Sequence, residues 1–215
     1  MKKTLFAAAL AAALSAGTGL AGATTTVVID DFSVDQGPVQ DLSVDGLAVV
    51  DLIPGVRSIS TNLSARQGGV FNAVEVAEGL LEVANGAGEN SEVRITYDLT
   101  SDLVPVNATN IVFTYGIARA DANLITIRFL LNDQEIAKSL VPANSENLEL
   151  DFVSTVPVLK NDRFEMVLAG AAGWDVALDR VAVSYDPAPV PEPATVGMLG
   201  LGLAALGLWS RRRAV

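Results

Sequence analysis

Short apolar runs with a period of two residues, cut at close intervals by chain-breaking residues, constrain this fold more than any other feature of the sequence. They fall at residues 25–29, 47–53, 56–63, 70–76, 93–99, 111–117, 124–131, 136–141, 148–153, 164–169 and 176–185. Arg94-Ile95-Thr96-Tyr97 and Leu124-Ile125-Thr126-Ile127-Arg128-Phe129 alternate cleanly, the pattern of strands with one face buried. Gly37-Pro38, Pro54-Gly55, Gly68-Gly69, Asn85-Gly86, Asn132-Asp133 and Asn161-Asp162 stand between the runs. The best helical candidate, 72–81, is interrupted by Gly79. An all-β chain follows, with about ten strands in an antiparallel β-sandwich of jelly-roll type. Asn132-Asp133 is expected to close a hairpin.

Composition removes whole reaction classes. The chain has neither Cys nor His. That excludes Ser-His-Asp and Cys-His catalysis, thiolate or imidazole metal sites and a disulfide framework. Fourteen basic residues against 25 acidic ones, net −11, leave no cationic footprint for nucleic acid, so none is expected as a partner.

The two ends read as addresses. Met1-Lys2-Lys3, an apolar stretch from Leu5 to Leu14 and small residues at Ala21 and Ala23 form a signal peptide over 1–23, to be cut by signal peptidase after Ala23. The β-sandwich domain is expected over 24–185, and a Pro-rich linker over 186–193. From Ala194 to Ser210 there is no charge, and then Arg211, Arg212 and Arg213 arrive together. This is a transmembrane helix with an Arg-rich cytoplasmic tail over 194–215, and the domain lies outside. The sorting element Pro191-Glu192-Pro193, the apolar helix and the Arg cluster resemble the PEP-CTERM signal of Gram-negative bacteria. The resemblance implies recognition by an exosortase in the membrane and placement in the cell envelope, at the cell surface or in the matrix of an exopolysaccharide-producing cell.

Val27-Val28-Ile29-Asp30-Asp31-Phe32-Ser33 and Trp174-Asp175-Val176-Ala177-Leu178-Asp179-Arg180-Val181-Ala182-Val183 resemble the first and last strands of galactose-binding-like jelly rolls, the architecture of many carbohydrate-binding modules. The resemblance implies paired terminal strands and a structural calcium held by Asp30 or Asp31 with Asp179, and Asp175 as a further ligand; calcium is chemically suited to such oxygen donors. Trp174, after the Gly170–Gly173 loop, is the candidate sugar-stacking platform, against the alternative of a core position at the start of the last strand. The expected function is a non-catalytic surface or matrix module that binds exopolysaccharide. The alternatives are a glycan hydrolase using two carboxylates and a purely structural surface protein.

Overall fold

A computed structural model of the chain describes residues 23–41, 46–51, 55–65, 72–188 and 202–203. Ala21, Pro191-Glu192-Pro193 and Arg211–Arg213 lie outside the described residues, as does the expected transmembrane helix apart from Gly202 and Leu203. Among the described residues no helix is long and apolar enough to cross a membrane. The chain divides into two compact units, one of residues 24–187 and one of residues 1–23 with 188–215.

The first unit is all-β. Its strands are β1 (Thr25–Asp30), β2 (Gln36–Asp41), β3 (Gly46–Asp51), β4 (Gly55–Ala65), β5 (Asn72–Ala77), β6 (Leu80–Ala84), β7 (Asn90–Leu99), β8 (Thr109–Ala120), β9 (Ile125–Leu131), β10 (Gln134–Val141), β11 (Glu146–Ser154), β12 (Arg163–Gly170) and β13 (Val176–Asp186). They form two antiparallel sheets, ordered β11-β8-β13-β6-β5-β2 and β10-β9-β12-β7-β4-β3, and the chain crosses repeatedly from one sheet to the other. β8 lies along one side of β13. On the other side, β6 pairs with Val176–Leu178, while β1 pairs with Val181–Tyr185. The first and last strands are therefore neighbours, in register from Thr25 opposite Tyr185.

Alternation selects these strands. In β7, Ser91, Val93, Ile95, Tyr97 and Leu99 are buried between the sheets, while Glu92, Arg94, Thr96 and Asp98 face outward. The core is stitched by aromatic contacts. Phe113 of β8 stacks on Phe152 of β11 at 4.9 Å and on Phe164 of β12 at 5.2 Å. Phe129 of β9 meets Phe152 at 4.5 Å and Tyr115 at 5.2 Å. Each such pair adds about 0.5–1.5 kcal/mol beyond its area burial.

Two turns follow the sequence pattern and one proline departs from it. Residues 72–81 hold no helix: β5 and β6 form a hairpin turned at Glu78-Gly79, whose φ angles of 54° and 79° suit the primed two-residue turn. Asn132-Asp133 turns β9 into β10 in the same way, with φ of 50° and 67°. Gly37-Pro38, expected as a breaker, lies inside β2. A proline is tolerated there because β2 ends its sheet, and the register shifts between Gln36 and Val39.

Candidate functional site

The acidic residues at the start of the sandwich are answered by an arginine. Asp30 points between the sheets, where Arg57 Nη1 donates to its Oδ1 at 3.1 Å and its Oδ2 at 2.9 Å. Tyr97 Oη donates to Oδ2 at 3.0 Å, and the Phe32 N–H to Oδ1 at 2.8 Å. Arg57 also donates through Nε to Gln36 Oε1 at 2.7 Å and through Nη2 to the Val34 carbonyl at 2.5 Å. Burial pushes the Tyr97 hydroxyl well above its ordinary range, so it remains a donor.

The Asp30 carboxylate, expected as a calcium ligand, is thus hydrogen-bonded by Arg57, Tyr97 and the Phe32 amide. Asp31 is exposed and accepts from Ser33 N and Oγ at 3.1 and 2.6 Å, which lowers its pKa. Asp179 lies on the outer surface of the sheet over Gly116, where an added Cβ would stand 1.8 Å from its Oδ1. Asp175 lies further back along the chain, where its Oδ1 accepts from Asn85 N at 2.7 Å. The four carboxylates do not converge. Among the described residues no group of three or more carboxylates is placed to hold a metal.

Of the two readings of Trp174, the structure shows the core position. The residue is 0% exposed. Its indole N–H donates to the Ser91 carbonyl at 3.2 Å, and its own carbonyl accepts from Asn85 Nδ2 at 2.6 Å. The ring packs so closely on Gly170 that a Cβ there would meet Cγ at 2.5 Å. Gly170 thus makes room for the ring. Glu89, in the adjoining loop, is fully buried with neither carboxylate oxygen hydrogen-bonded. None of the described aromatic side chains is exposed.

The outer face of the β10-to-β3 sheet is occupied by its own ion pairs. Arg94 Nη1 meets Glu165 Oε2 at 3.0 Å, Arg128 Nη2 meets Glu92 Oε2 at 3.0 Å, and Thr96 Oγ1 donates to Glu165 Oε1 at 3.1 Å.

An open cleft of about 370 Å³ lies at one end of the other sheet. Glu82 of β6, Arg119 of β8, Asp121, Glu146 of β11 and Asp175 supply its polar groups, with Val83 and Val176 among its apolar lining. Arg119 Nη2 meets Glu82 Oε1 at 2.6 Å. Asp121 is held by Asn123, which donates through N at 2.9 Å and Nδ2 at 3.0 Å, and Asn123 Nδ2 also reaches the Gly173 carbonyl at 3.0 Å. Desolvation raises the Asp175 pKa, and the Asp121 charge adds to the rise. Of the expected calcium ligands Asp30, Asp31, Asp175 and Asp179, only Asp175 lines this cleft. Glu82, Arg119 and Glu146 carry no local signal that could have found them, because the first and the last stand 64 positions apart in the chain.

A family profile described as PEP-CTERM protein-sorting motif matches residues 189–213. No curated protein matches the chain. Solved structures similar to it include one described as "CBM4 structure and function", at 14% identity and TM-score 0.42, covering 73% of this chain and 97% of that one. A family 35 carbohydrate binding module from Clostridium thermocellum is similar at 9% identity and TM-score 0.38, covering 74% and 97%. A xylan-binding module, CBM15, is similar at 14% identity and TM-score 0.38, covering 69% and 97%. The sorting motif marks this chain as an exported, envelope-associated protein.

Proposed function

We propose that this protein is a non-catalytic module of the cell surface or extracellular matrix of a Gram-negative bacterium, which binds an exopolysaccharide through the cleft between Glu82, Arg119, Asp121, Glu146 and Asp175. The observation that carries the reading is that cleft on an exported chain. Its size suits a small-ligand site. Carboxylates and a guanidinium are strong partners for sugar hydroxyls, because charge-assisted hydrogen bonds outlast competition from water better than neutral ones. With no exposed aromatic among the described residues to stack on a sugar ring, affinity rests on these polar contacts and is weak.

The test is titration of the sandwich, residues 24–188, with secreted polysaccharides, alongside Arg119→Ala and Asp121→Asn. A hydrogen bond to a charged group contributes about 1.5–3 kcal/mol, so each variant is expected to weaken binding roughly tenfold or more. Binding that both variants leave unchanged would remove the cleft from the reading. No binding to any polysaccharide would leave a purely structural surface protein.

A second reading, glycan hydrolysis, is favoured by one observation: the raised Asp175 faces the same cleft as Asp121. Two carboxyl groups in one cleft, one of them raised above its ordinary pKa by desolvation, are what glycosidases use. Release of new reducing ends by the wild type, lost in Asp175→Asn, would replace the binding reading with this one.

A further inference from the structure

The cleft that the proposed function uses is unevenly charged. Glu82, Asp121, Glu146 and Asp175 bring four carboxylates to it against one guanidinium, that of Arg119. Arg119 is already engaged, because its Nη2 stands 2.6 Å from Glu82 Oε1. Among the described residues no Lys or Arg forms an ion pair with Asp121, Glu146 or Asp175. Three carboxylates in the cleft therefore have no cation of their own.

Sheet register fixes how the charges are spread. Glu82 and Arg119 both stand opposite Ala177, one on each side of β13, and Arg119 stands opposite Glu146. With about 4.8 Å between neighbouring strands, the row from β6 to β11 spans roughly 14 Å. At its β6 end Glu82 is opposite Glu75 of β5, and like charges so placed repel. Beside the row, the Asp121 N–H donates to the Asp175 carbonyl at 3.2 Å, which brings two more carboxylates onto adjoining segments. Desolvation raises the Asp175 pKa, and the Asp121 charge raises it further. The fold thus keeps two like-charged pairs at one end of one sheet, and a cation bound there relieves the repulsion within them.

We propose that the glycan taken by the cleft is cationic, a polymer of amino sugars whose amino groups are free. The inference rests on the reading of the cleft as a polysaccharide site and names the substrate class of that site. A metal ion does not answer the pattern, since among the described residues no three carboxylates are gathered to hold one. A uronate polymer meets like charge, which is selected against. A chain with ammonium groups at intervals offers a cation to each free carboxylate along the row, and its hydroxyls fill the remaining hydrogen bonds.

The test titrates the full-length chain, in nonionic detergent, with length-matched oligomers of glucosamine, N-acetylglucosamine and galacturonate. The buffer is mildly acidic and low in salt, so that the amines are protonated. The glucosamine oligomer is expected to bind roughly tenfold or more tightly than its acetylated form, with a margin that shrinks as salt is added. Asp121→Asn and Glu146→Gln should each cut that margin several-fold. Glu135→Gln, which removes an exposed carboxylate of β10 in the other sheet, should leave it. An equal loss in Glu135→Gln means that the acidity of the whole chain attracts the polymer, and overturns the proposal. Tighter binding of the acetylated or galacturonate oligomer, weakened by Asp121→Asn, overturns the cationic class while keeping the cleft as a glycan site. Tighter binding of a lysine oligomer of the same length assigns the cleft to a basic peptide and overturns the glycan. Binding of no oligomer overturns the reading of the cleft, and the class with it.

Discussion

Asp30 and Arg57 face each other across the two sheets, their side chains 1% and 0% exposed, with Nη1 of the arginine 2.9 Å from Oδ2 of the aspartate. The pair joins β1 to β4 and draws in Tyr97 of β7 and Gln36 of β2. A charge taken out of water is tolerated only when its partner and its remaining donors or acceptors are in place.

Removing one member should therefore cost more than the pair is worth. Arg57→Met is expected to lower the unfolding free energy by about 3–5 kcal/mol, because it leaves Asp30 buried without its cation. Adding Asp30→Leu to that variant should recover a substantial part of the loss. Urea denaturation of the two variants checks this. A double variant as unstable as the single one would mean that packing around Arg57, and not the charge, holds this corner.

Gly170 and Trp174 make a second sensitive point. Gly170→Ala places a methyl 2.5 Å from the indole, and such overpacking costs about 1–3 kcal/mol. The indole should be displaced, so its fluorescence is expected to shift toward that of an exposed tryptophan. Trp174→Ala should lose about 3–5 kcal/mol with no specific loss of polysaccharide affinity in whatever fraction stays folded. A selective loss of binding would restore Trp174 as a ligand residue.

The carboxylates give stability a pH dependence of two signs. Asp186 is held low by its hydrogen bonds from Asn110 and Thr24. Its contribution is therefore present above the unfolded carboxylate pKa and is lost as pH falls through the folded value. Asp175 is raised by desolvation, so it opposes folding once pH exceeds its unfolded pKa, most fully above its folded one. Asp175→Asn should then raise the melting temperature at pH 7 more than at pH 3, and Asp186→Asn should lower it at pH 7 more than at pH 3. Melting curves of the two variants across that range test the signs.

Because Arg57 fills the Asp30 carboxylate and the other three aspartates lie apart, the sandwich is expected to melt at the same temperature with calcium and with chelator. A calcium-dependent rise, with a bound ion detected by calorimetry, would overturn this account of Asp30, Asp31, Asp175 and Asp179.

Much of the fold was legible because it is local. Alternation in β7 and β9 is visible residue by residue, and a pleated strand with one face on a core converts it directly into burial. Asn132-Asp133 announced its turn because both residues accept positive φ at low cost. Glu78-Gly79 was harder to read, since the apolar residues around it satisfy a helical spacing as well as a strand spacing, and only pairing with β13 decides between them.

The site was far less legible. An aspartate beside an apolar run looks the same whether it binds metal, pairs with arginine or meets water, and Asp30 and Asp179 differ only in which face of the sheet they occupy. Trp174 follows glycines that read equally as a flexible loop and as space for a buried ring.

By itself the sequence determined the strand-rich sandwich, the exclusion of histidine and cysteine chemistry, and the sorting motif, because each is carried by composition or by spacing along the chain. Only the tertiary structure decided that Arg57 answers Asp30, that Trp174 is core, and that Glu82, Arg119, Glu146 and Asp175 line one cleft. Those facts depend on contacts between residues far apart in the chain, and burial and sheet register, not sequence distance, set which side chains meet.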